Sequence, residues 1–182
     1  MKTEPNTFQL ETTTVWQFPQ RGTWATHDGT YRGNWSPYIP RNILLRFSHQ
    51  GDIVLDSFVG GGTTLVEAKL LQRHCIGIDI NPLALKRCHE KCNFNFDSIS
   101  KIIIRQGDAR SLPFLKDNSI DLICTHPPYA NIIKYSHTIP GDLSQYDIPQ
   151  FLNEIETTAA ECYRLLKPNK YCAILMGDTR KN

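Results

Sequence analysis

The sequence predicts a doubly wound α/β fold built on a mostly parallel sheet, and three observations support this prediction. Between residues 52 and 177, short runs of β-branched and aliphatic residues alternate with longer segments whose apolar residues recur at helical spacing. Such alternation is typical of βαβ units, whose right-handed crossovers produce parallel strands. A glycine-rich turn follows the first strand, where sheets of this type bind their ligands.

Each element is predicted from its own pattern. The segment DIVLDSF is an apolar run that ends in glycines, which predicts the first strand, and Leu65, Ala68 and Leu71 then recur at helical spacing. Asn81 and Pro82 end the second strand, and proline suits the first turn of the helix that follows. In full, strands are predicted at 52–58, 75–80, 101–106, 119–125 and 171–177, and helices at 40–47, 63–72, 82–93 and 148–166.

The chain of 182 residues fits a single domain, 1–182. Residues 1–50 contain all three tryptophans and are expected to pack over the binding end of the sheet, whereas residues 51–182 form the sheet core. Residues 178–182 follow directly after the fifth strand, and a bare edge strand would expose unpaired backbone groups. We therefore expect the domain to be incomplete at its C-terminus and to lack the last strands.

The composition is that of an ordinary globular protein, with 40% hydrophobic and 21% charged residues and a formal net charge of +2. The charge permits nucleic-acid binding without indicating it. No apolar run approaches the ~20 residues that span a bilayer, and the polar N-terminus lacks a signal peptide, so a cytoplasmic protein without membrane contact is expected. Cys88, His89 and Cys92 cluster, but no second ligand pair stands at the usual spacing, so no metal is expected.

The glycine-rich loop, residues 56–64 with the sequence DSFVGGGTT, lies between the first strand and the first helix of the sheet. Glycines allow a sharp turn and close approach to a ligand, and the helix N-terminus provides free N–H donors. Asp79 ends the next strand, where a carboxylate can accept hydrogen bonds from ribose hydroxyls. These features favour a nucleoside-containing cofactor over the alternative of a tight turn with capping carboxylates, and the loop lacks the Lys-Ser/Thr of a triphosphate-binding loop.

These segments resemble the S-adenosylmethionine-dependent DNA amino-methyltransferases, which act on cytosine N4 or adenine N6. DSFVGGGTT is similar to the family segment DxFxGxGTT, which binds the methionine moiety of the cofactor. GIDINP, residues 77–82, resembles the ribose-binding strand end, and QGDA, residues 106–109, the segment that faces the adenine. The resemblance implies a Rossmann-like methyltransferase sheet with S-adenosylmethionine bound by Asp56, Phe58, Gly60, Gly62, Thr63, Thr64, Asp79, Asn81, Asp108 and Ala109, with Trp35 from the segment at 33–41 completing the pocket.

The segment Thr125-His126-Pro127-Pro128-Tyr129 follows the fourth strand at the same edge of the sheet. Two prolines stiffen the backbone and fix the direction of the carbonyl oxygens, which can then accept hydrogen bonds from an amino group. Tyr129 offers an aromatic face to a flipped base. The segment resembles the family's (Asp/Asn/Ser/Thr)-Pro-Pro-(Tyr/Phe/Trp) motif with an extra histidine, so either His126 takes the amine-contacting position or the loop is rearranged around Thr125. The alternative is a proline turn with a core tyrosine.

The resemblance implies methyl transfer to an exocyclic amino group of a DNA base, with cytosine N4 favoured over adenine N6 because the Thr-His pair is neutral. The loop that contains Asn131 and Lys134-Tyr135-Ser136 is expected either to contact the target strand or to lie at the surface in solvent. Two other functions stay open. One is methylation of guanine N2 in tRNA, and the other is an inactive fragment or subunit that needs a second chain for its missing C-terminal or target-recognition region.

Overall fold

The computed structural model describes residues 1–177, and within them five parallel strands form one sheet in the order β3-β2-β1-β4-β5. Helices lie on both faces of the sheet, so the doubly wound α/β prediction is confirmed. The strands are β1 (Ile53–Asp56), β2 (His74–Asp79), β3 (Ile102–Gln106), β4 (Ile120–Thr125) and β5 (Leu166–Ile174). The helices are α1 (Tyr38–Phe47), α2 (Thr63–Leu70), α3 (Pro82–Cys92) and α4 (Ile148–Leu165).

The core consists of two apolar layers, one on each face of the sheet. Val54 and Leu122 belong to the layer that also contains Leu44 of α1 and Leu65 of α2. Their strand neighbours point to the other face, because side chains alternate along a strand, and pack with residues of α4. This second layer comprises Leu55, Ile78, Leu112, Ile120, Ile123, Cys162 and Leu165. All six residues of β4 are buried, as expected for a central parallel strand covered on both faces.

Local signals in the sequence account for the helix starts. Asn81 caps α3 by accepting a hydrogen bond from the Leu83 N–H, with Pro82 in the first turn. Asp147 caps α4 in the same way, accepting from the Gln150 N–H at 3.0 Å. Helix α2 begins instead after Gly62, whose φ of +80° is readily accessible to glycine. Each helix therefore starts at the carboxyl edge of the sheet, where the loops converge.

The fifth strand differs from its prediction of 171–177. It begins at Leu166, directly after α4, and its register with β4 shifts from Ile120↔Leu166 to Leu122↔Tyr171. Pro168 has no N–H to donate and Asn169 has a φ of +61°, which explains the irregularity between these two pairs. The predicted start at residue 171 was wrong because the apolar pattern marks only the part of the strand that pairs regularly with β4, from Tyr171 onward. The expected C-terminal incompleteness concerns residues from Asp178 onward, which lie outside the described part of the chain.

Among the described helices, none combines the length and apolar character that crossing a membrane requires.

Candidate functional site

A pocket that we call the first pocket lies at the carboxyl edge of the sheet, where the loops after β1, β2, β3 and β4 meet the N-terminal segment. It holds about 770 Å³ of space and is open to solvent. Its position is the one predicted for a ligand site in an open α/β sheet. Its lining comprises Tyr31, Gly33, Asn34, Trp35, Asp56, Ser57, Phe58, Val59, Gly60, Gly61, Asp79, Ile80, Asn81, Gly107, Asp108, Ala109, His126, Pro128, Tyr135, Gly141, Asp142 and Leu143.

Asp56 ends β1 and lines this pocket, although its side chain is almost fully buried. Its Oδ1 accepts from the Thr125 hydroxyl at 2.8 Å and from the Phe58 N–H at 3.2 Å, and its Oδ2 accepts from the Thr64 hydroxyl at 2.5 Å. Burial raises the pKa of the Asp56 carboxyl to about 6, and these three donors oppose only part of that increase. The carboxyl thus joins the end of β1 to β4 and to α2.

The glycine loop divides into residues that line the pocket and residues that shape it. Phe58, Gly60 and Gly61 are in the lining, and an added Cβ at Gly60 or Gly61 would lie 3.0 Å from the Tyr31 side chain. Three predicted cofactor residues, Gly62, Thr63 and Thr64, are not among the lining residues. Gly62 packs against Cys88, the Thr63 hydroxyl donates to Asn34 Oδ1 at 2.6 Å, and Thr64 bonds to Asp56 as described above.

Asp79 ends β2 with its carboxylate fixed by the backbone. Its Oδ2 accepts from the Gly60 N–H at 2.9 Å and its Oδ1 from the Asn81 N–H at 2.9 Å. Burial raises the pKa of Asp79, and these two hydrogen bonds oppose only part of that increase. Each carboxylate oxygen can accept further hydrogen bonds, so the group is oriented and still has acceptor capacity toward the pocket.

Asp108 and Ala109 follow β3 and line the same pocket. The Arg110 side chain donates to both Asp108 oxygens, with Nε at 2.8 Å and Nη2 at 2.5 Å, and to Glu154 at 2.6 Å and the Gly141 carbonyl at 3.1 Å. Burial raises the pKa of Asp108, but the bonds from Arg110 outweigh it and the net pKa is lowered. Arg110 therefore keeps the carboxylate ionised and links it to the segment around Gly141.

The N-terminal segment contributes one predicted residue and several that sequence reasoning missed. Trp35 lines the first pocket, and its ring stacks on His126 with centroids 5.3 Å apart and an interplanar angle of 22°. Tyr31, Gly33 and Asn34 are also in the lining. Only Gly33 and Asn34 fall inside the segment 33–41 that the resemblance marked. Tyr31 gave no sequence signal, because it lies in an irregular stretch without periodicity.

A smaller cavity, the second pocket, adjoins the first and holds about 250 Å³. It contains four of the five residues of the predicted catalytic segment, and four of its lining residues also line the first pocket. The shared residues are Gly33, His126, Pro128 and Tyr135, and the remaining lining residues are Pro127, Tyr129, Ile132 and Ile133. The two cavities are therefore separated by the side chains of a few residues only.

His126 and Tyr129 face each other in the second pocket, with His126 Nε2 and the Tyr129 hydroxyl oxygen 2.5 Å apart. Burial lowers the pKa of His126 to about 4, so the imidazole is neutral at pH 7. Thr125 lies elsewhere. It is buried, its hydroxyl donates to Asp56, and it lines neither pocket. Of the two alternatives left by the sequence, the geometry brings His126 to the pocket and not Thr125.

The segment after the proline loop forms one side of the first pocket. Tyr135 stacks on Tyr31 with ring centroids 6.0 Å apart, and a Cβ added at Gly33 would overlap its hydroxyl. Asp142 lines the pocket and accepts from the Ser136 hydroxyl at 2.6 Å and the Ser144 N–H at 2.9 Å. The length of this loop indicated a functional role. No spacing rule identifies Asp142 as a pocket residue.

The first pocket has the space and the acceptors that a nucleoside requires. Gly60 has a φ of +47° and, like Gly61, lies so close to Tyr31 that side chains here would narrow the cavity. Two carboxylates at successive strand ends, Asp79 and Asp108, are oriented by fixed donors and match hydroxyl and amino donors of a nucleoside. No group of His, Cys, Asp or Glu in residues 1–177 is arranged to hold a metal ion.

Comparison with known proteins identifies the family to which the chain belongs. A family model described as a methyltransferase domain matches residues 48–181, and one described as a DNA methylase matches residues 1–89. The chain therefore belongs to the methyltransferase-domain family, and its cofactor is S-adenosylmethionine. The resemblance to the DNA amino-methyltransferases is confirmed within that class by the DNA methylase model and by type II relatives.

Two relatives illustrate the similarity. The chain is 31% identical over 132 residues to the tRNA (guanine(10)-N2)-dimethyltransferase of Methanothermobacter thermautotrophicus, covering 72% of this chain and 37% of that protein. It is 41% identical over 81 residues to the type II methyltransferase M.HpaI of Haemophilus parainfluenzae, covering 43% of this chain and 26% of that protein. The matched region thus spans well under half the length of either relative.

Solved structures show the same fold. TrmN from Thermus thermophilus matches with a TM-score of 0.58 and 21% identity, covering 79% of this chain and 39% of that one. A methyltransferase from Methanosarcina mazei matches with a TM-score of 0.55 and 21% identity, covering 72% of this chain and 55% of that one.

Proposed function

We propose that this chain transfers the methyl group of S-adenosylmethionine to an exocyclic amino group of a DNA base, with cytosine N4 favoured over adenine N6. The observation that supports this proposal is the arrangement of the two pockets. His126, Pro128, Gly33 and Tyr135 border both of them, so a ligand in the first pocket lies next to a ligand in the second. Direct transfer between two bound molecules needs this proximity above all.

We assign the cofactor to the first pocket, with the ribose hydroxyls at Asp79, the adenine at Asp108 and Ala109, and the methionine moiety along the loop from Asp56 to Gly60. When bound, S-adenosylmethionine supplies an electrophilic methyl group. Gly62, Thr63 and Thr64 act in this proposal through the shape of the loop. Asn81 acts through Asp79, because its N–H orients that carboxylate.

We assign the target base to the second pocket. Its stiff backbone at Pro127 and Pro128 holds carbonyl oxygens that can accept hydrogens of the amino group. The neutral imidazole of His126 has one unprotonated ring nitrogen, which can accept a hydrogen bond from the amino group. Tyr129, next to it, offers a stacking face. Together these acceptors direct the amine lone pair away from the ring and toward the methyl group. After transfer, the surplus proton passes from the methylated amine to solvent water.

The neutral lining of the second pocket supports the preference for cytosine. Its lining residues include no Asp or Glu, and His126 is uncharged at neutral pH because its pKa is lowered to about 4. In the family that the sequence resembles, Asp-Pro-Pro-Tyr is associated with adenine N6 and Ser-Pro-Pro-Tyr-like forms with cytosine N4.

A second candidate function is methylation of guanine N2 in tRNA. The observation that favours it is the alignment with the tRNA (guanine(10)-N2)-dimethyltransferase, which covers 72% of this chain. A third is a subunit that binds the cofactor and acts only with a second chain that supplies target recognition.

Incubation of the purified chain with radiolabelled S-adenosylmethionine and either DNA or tRNA separates these functions. We expect label in DNA, and digestion to nucleosides with mass analysis should identify N4-methylcytosine. Tyr129→Ala should lower transfer far more than cofactor affinity, whereas Tyr163→Ala, which alters a tyrosine 85% exposed on α4, should change neither. Label in tRNA alone, or cofactor binding without transfer to either, would overturn the proposal in favour of the second or third function.

A further inference from the structure

Glu67 is a fully buried carboxylate that lines neither pocket. It lies on α2, one helical turn after Thr63, and its exposed fraction is 0%. A charged side chain is rarely buried so completely unless several partners compensate it. Its position therefore calls for a physical explanation separate from the chemistry of the site.

Three donors converge on this carboxylate. Oε1 accepts from the Trp24 indole Nε1–H at 2.7 Å and faces His27 Nε2 at 2.7 Å, and Oε2 accepts from Arg41 Nη1 at 3.0 Å. Facing an ionised carboxylate, the His27 ring nitrogen acts as the donor. Arg41 compensates the charge, and it also pairs with Glu4 of the first residues of the chain. All three partners come from the N-terminal 41 residues.

A carboxylate suits this position because it is purely an acceptor. An amide of the same shape would direct an N–H₂ group at one of the three donors and leave that donor unpaired in a buried site. Trp24 is itself 4% exposed and packs edge-on against Tyr38 of α1, with ring centroids 4.8 Å apart. The contact between Trp24 and Glu67 is thus shielded from solvent.

The segment anchored by Glu67 is the one that forms a wall of the first pocket. Tyr31, Asn34 and Trp35 lie in the same segment, within eight residues after His27, and line that pocket. The far end of the segment returns to the same helix, because the Thr63 hydroxyl donates to Asn34 Oδ1. The Arg21 guanidinium closes the loop by donating to the Asn34 and Trp35 carbonyls, each at 2.8 Å.

We propose that Glu67 is a positioning residue for cofactor binding: it fixes residues 24–35 against α2 so that the wall of the first pocket exists before the cofactor arrives. This inference rests on the cofactor site alone and does not depend on which nucleic acid is methylated. A pocket wall that is docked only part of the time lowers the apparent affinity by the docked fraction.

Glu67→Gln in the full chain tests this role by calorimetric titration with S-adenosylmethionine. A wall docked one-tenth of the time would raise the apparent Kd about tenfold. Hydrogen exchange of residues 28–36 should rise in the variant without cofactor and return to the wild-type level at saturating cofactor. Glu90→Gln, which alters an exposed glutamate on α3, is the matched control and should leave both measurements unchanged.

The Trp24→Phe variant gives a second measurement, since it removes one donor and keeps an aromatic ring. We expect a smaller rise in Kd, about threefold, together with faster exchange in residues 28–36. An unchanged Kd in folded Glu67→Gln overturns the proposal and leaves Glu67 as a stabilising residue only. If Glu67→Gln does not fold, an unchanged Kd in Trp24→Phe has the same consequence.

Discussion

Asp56 offers a prediction that links the site to stability. Its carboxyl is buried at the end of β1 and surrounded by two hydroxyls and one backbone N–H. Asparagine has nearly the same shape. Its amide oxygen can accept from the Thr125 hydroxyl and the Phe58 N–H, and its amide nitrogen can donate to the Thr64 hydroxyl. Asp56→Asn should therefore keep the hydrogen bonds and remove the buried charge.

The magnitude follows from the pKa. Burial raises the pKa of Asp56 from 3.8 to about 6, and one pKa unit corresponds to about 1.4 kcal/mol, so ionisation destabilises the folded protein by about 3 kcal/mol. As pH falls, the folded protein takes up this proton before the unfolded chain does. The cost is therefore complete above about pH 7, decreases as pH falls through 6, and vanishes below the unfolded pKa of 3.8.

The assay is urea unfolding of wild type and Asp56→Asn from pH 4 to pH 8. We expect the variant to be more stable by up to about 3 kcal/mol at pH 8, by roughly half of that at pH 5, and by little at pH 4. Asp121→Asn is a control for which we expect a change in stability of the opposite sign. Bonds from Lys167 and Lys170 outweigh burial and lower the pKa of Asp121, so this variant should be less stable at neutral pH, with the difference shrinking in acid. A stability difference for Asp56→Asn that does not vary with pH would refute the reasoning.

Two further predictions concern the first pocket. Asp79→Ala should weaken S-adenosylmethionine binding by about tenfold or more in calorimetry, because it removes a buried acceptor aimed at the cofactor, while the circular dichroism spectrum stays that of wild type; equal affinity would exclude the ribose assignment. Gly33→Ala should displace Tyr135 and lower affinity for the cofactor, since the added Cβ overlaps the tyrosine hydroxyl. Gly51→Ala is the control, because Gly51 has a similar φ of +83° but no atom within 4 Å of the added Cβ. Equal losses of affinity in both variants would mean that backbone strain alone, and not the displacement of Tyr135, lowers the affinity.

Sequence patterns were sufficient for most of the fold because the central elements have regular periodicity. Strand β4 is rich in aliphatic residues, and Asn81 with Pro82 marks the start of α3, so both were placed within one or two residues. The error in β5 has a local cause, since the irregular pairing around Pro168 and Asn169 leaves no alternating pattern to recognise.

The candidate site was predictable only where it is formed by strand ends. Asp79 and Asp108 were found because a carboxylate after a parallel strand must lie at the binding edge. Tyr31 and Tyr135 were not identified as pocket residues, since they belong to irregular segments about a hundred positions apart in the sequence. Only tertiary packing brings their ring centroids to within 6.0 Å of each other. Glu67 looked like an ordinary helix residue for the same reason, because its partners are distant in sequence.

Two motif residues that do not line the first pocket, Thr64 and Thr125, have a structural role instead. Thr64 and Thr125 each give a hydroxyl hydrogen to the same buried carboxylate of Asp56, and this joins the start of α2 to the end of β4. His126 follows Thr125 directly and lines both pockets. A displacement of the glycine loop would therefore act on the proline loop through Thr125, whose hydroxyl donates to Asp56 at 2.8 Å and accepts from the Phe58 N–H at 3.2 Å. The cofactor loop and the proposed acceptor loop are thus coupled through Thr125, which lines neither pocket.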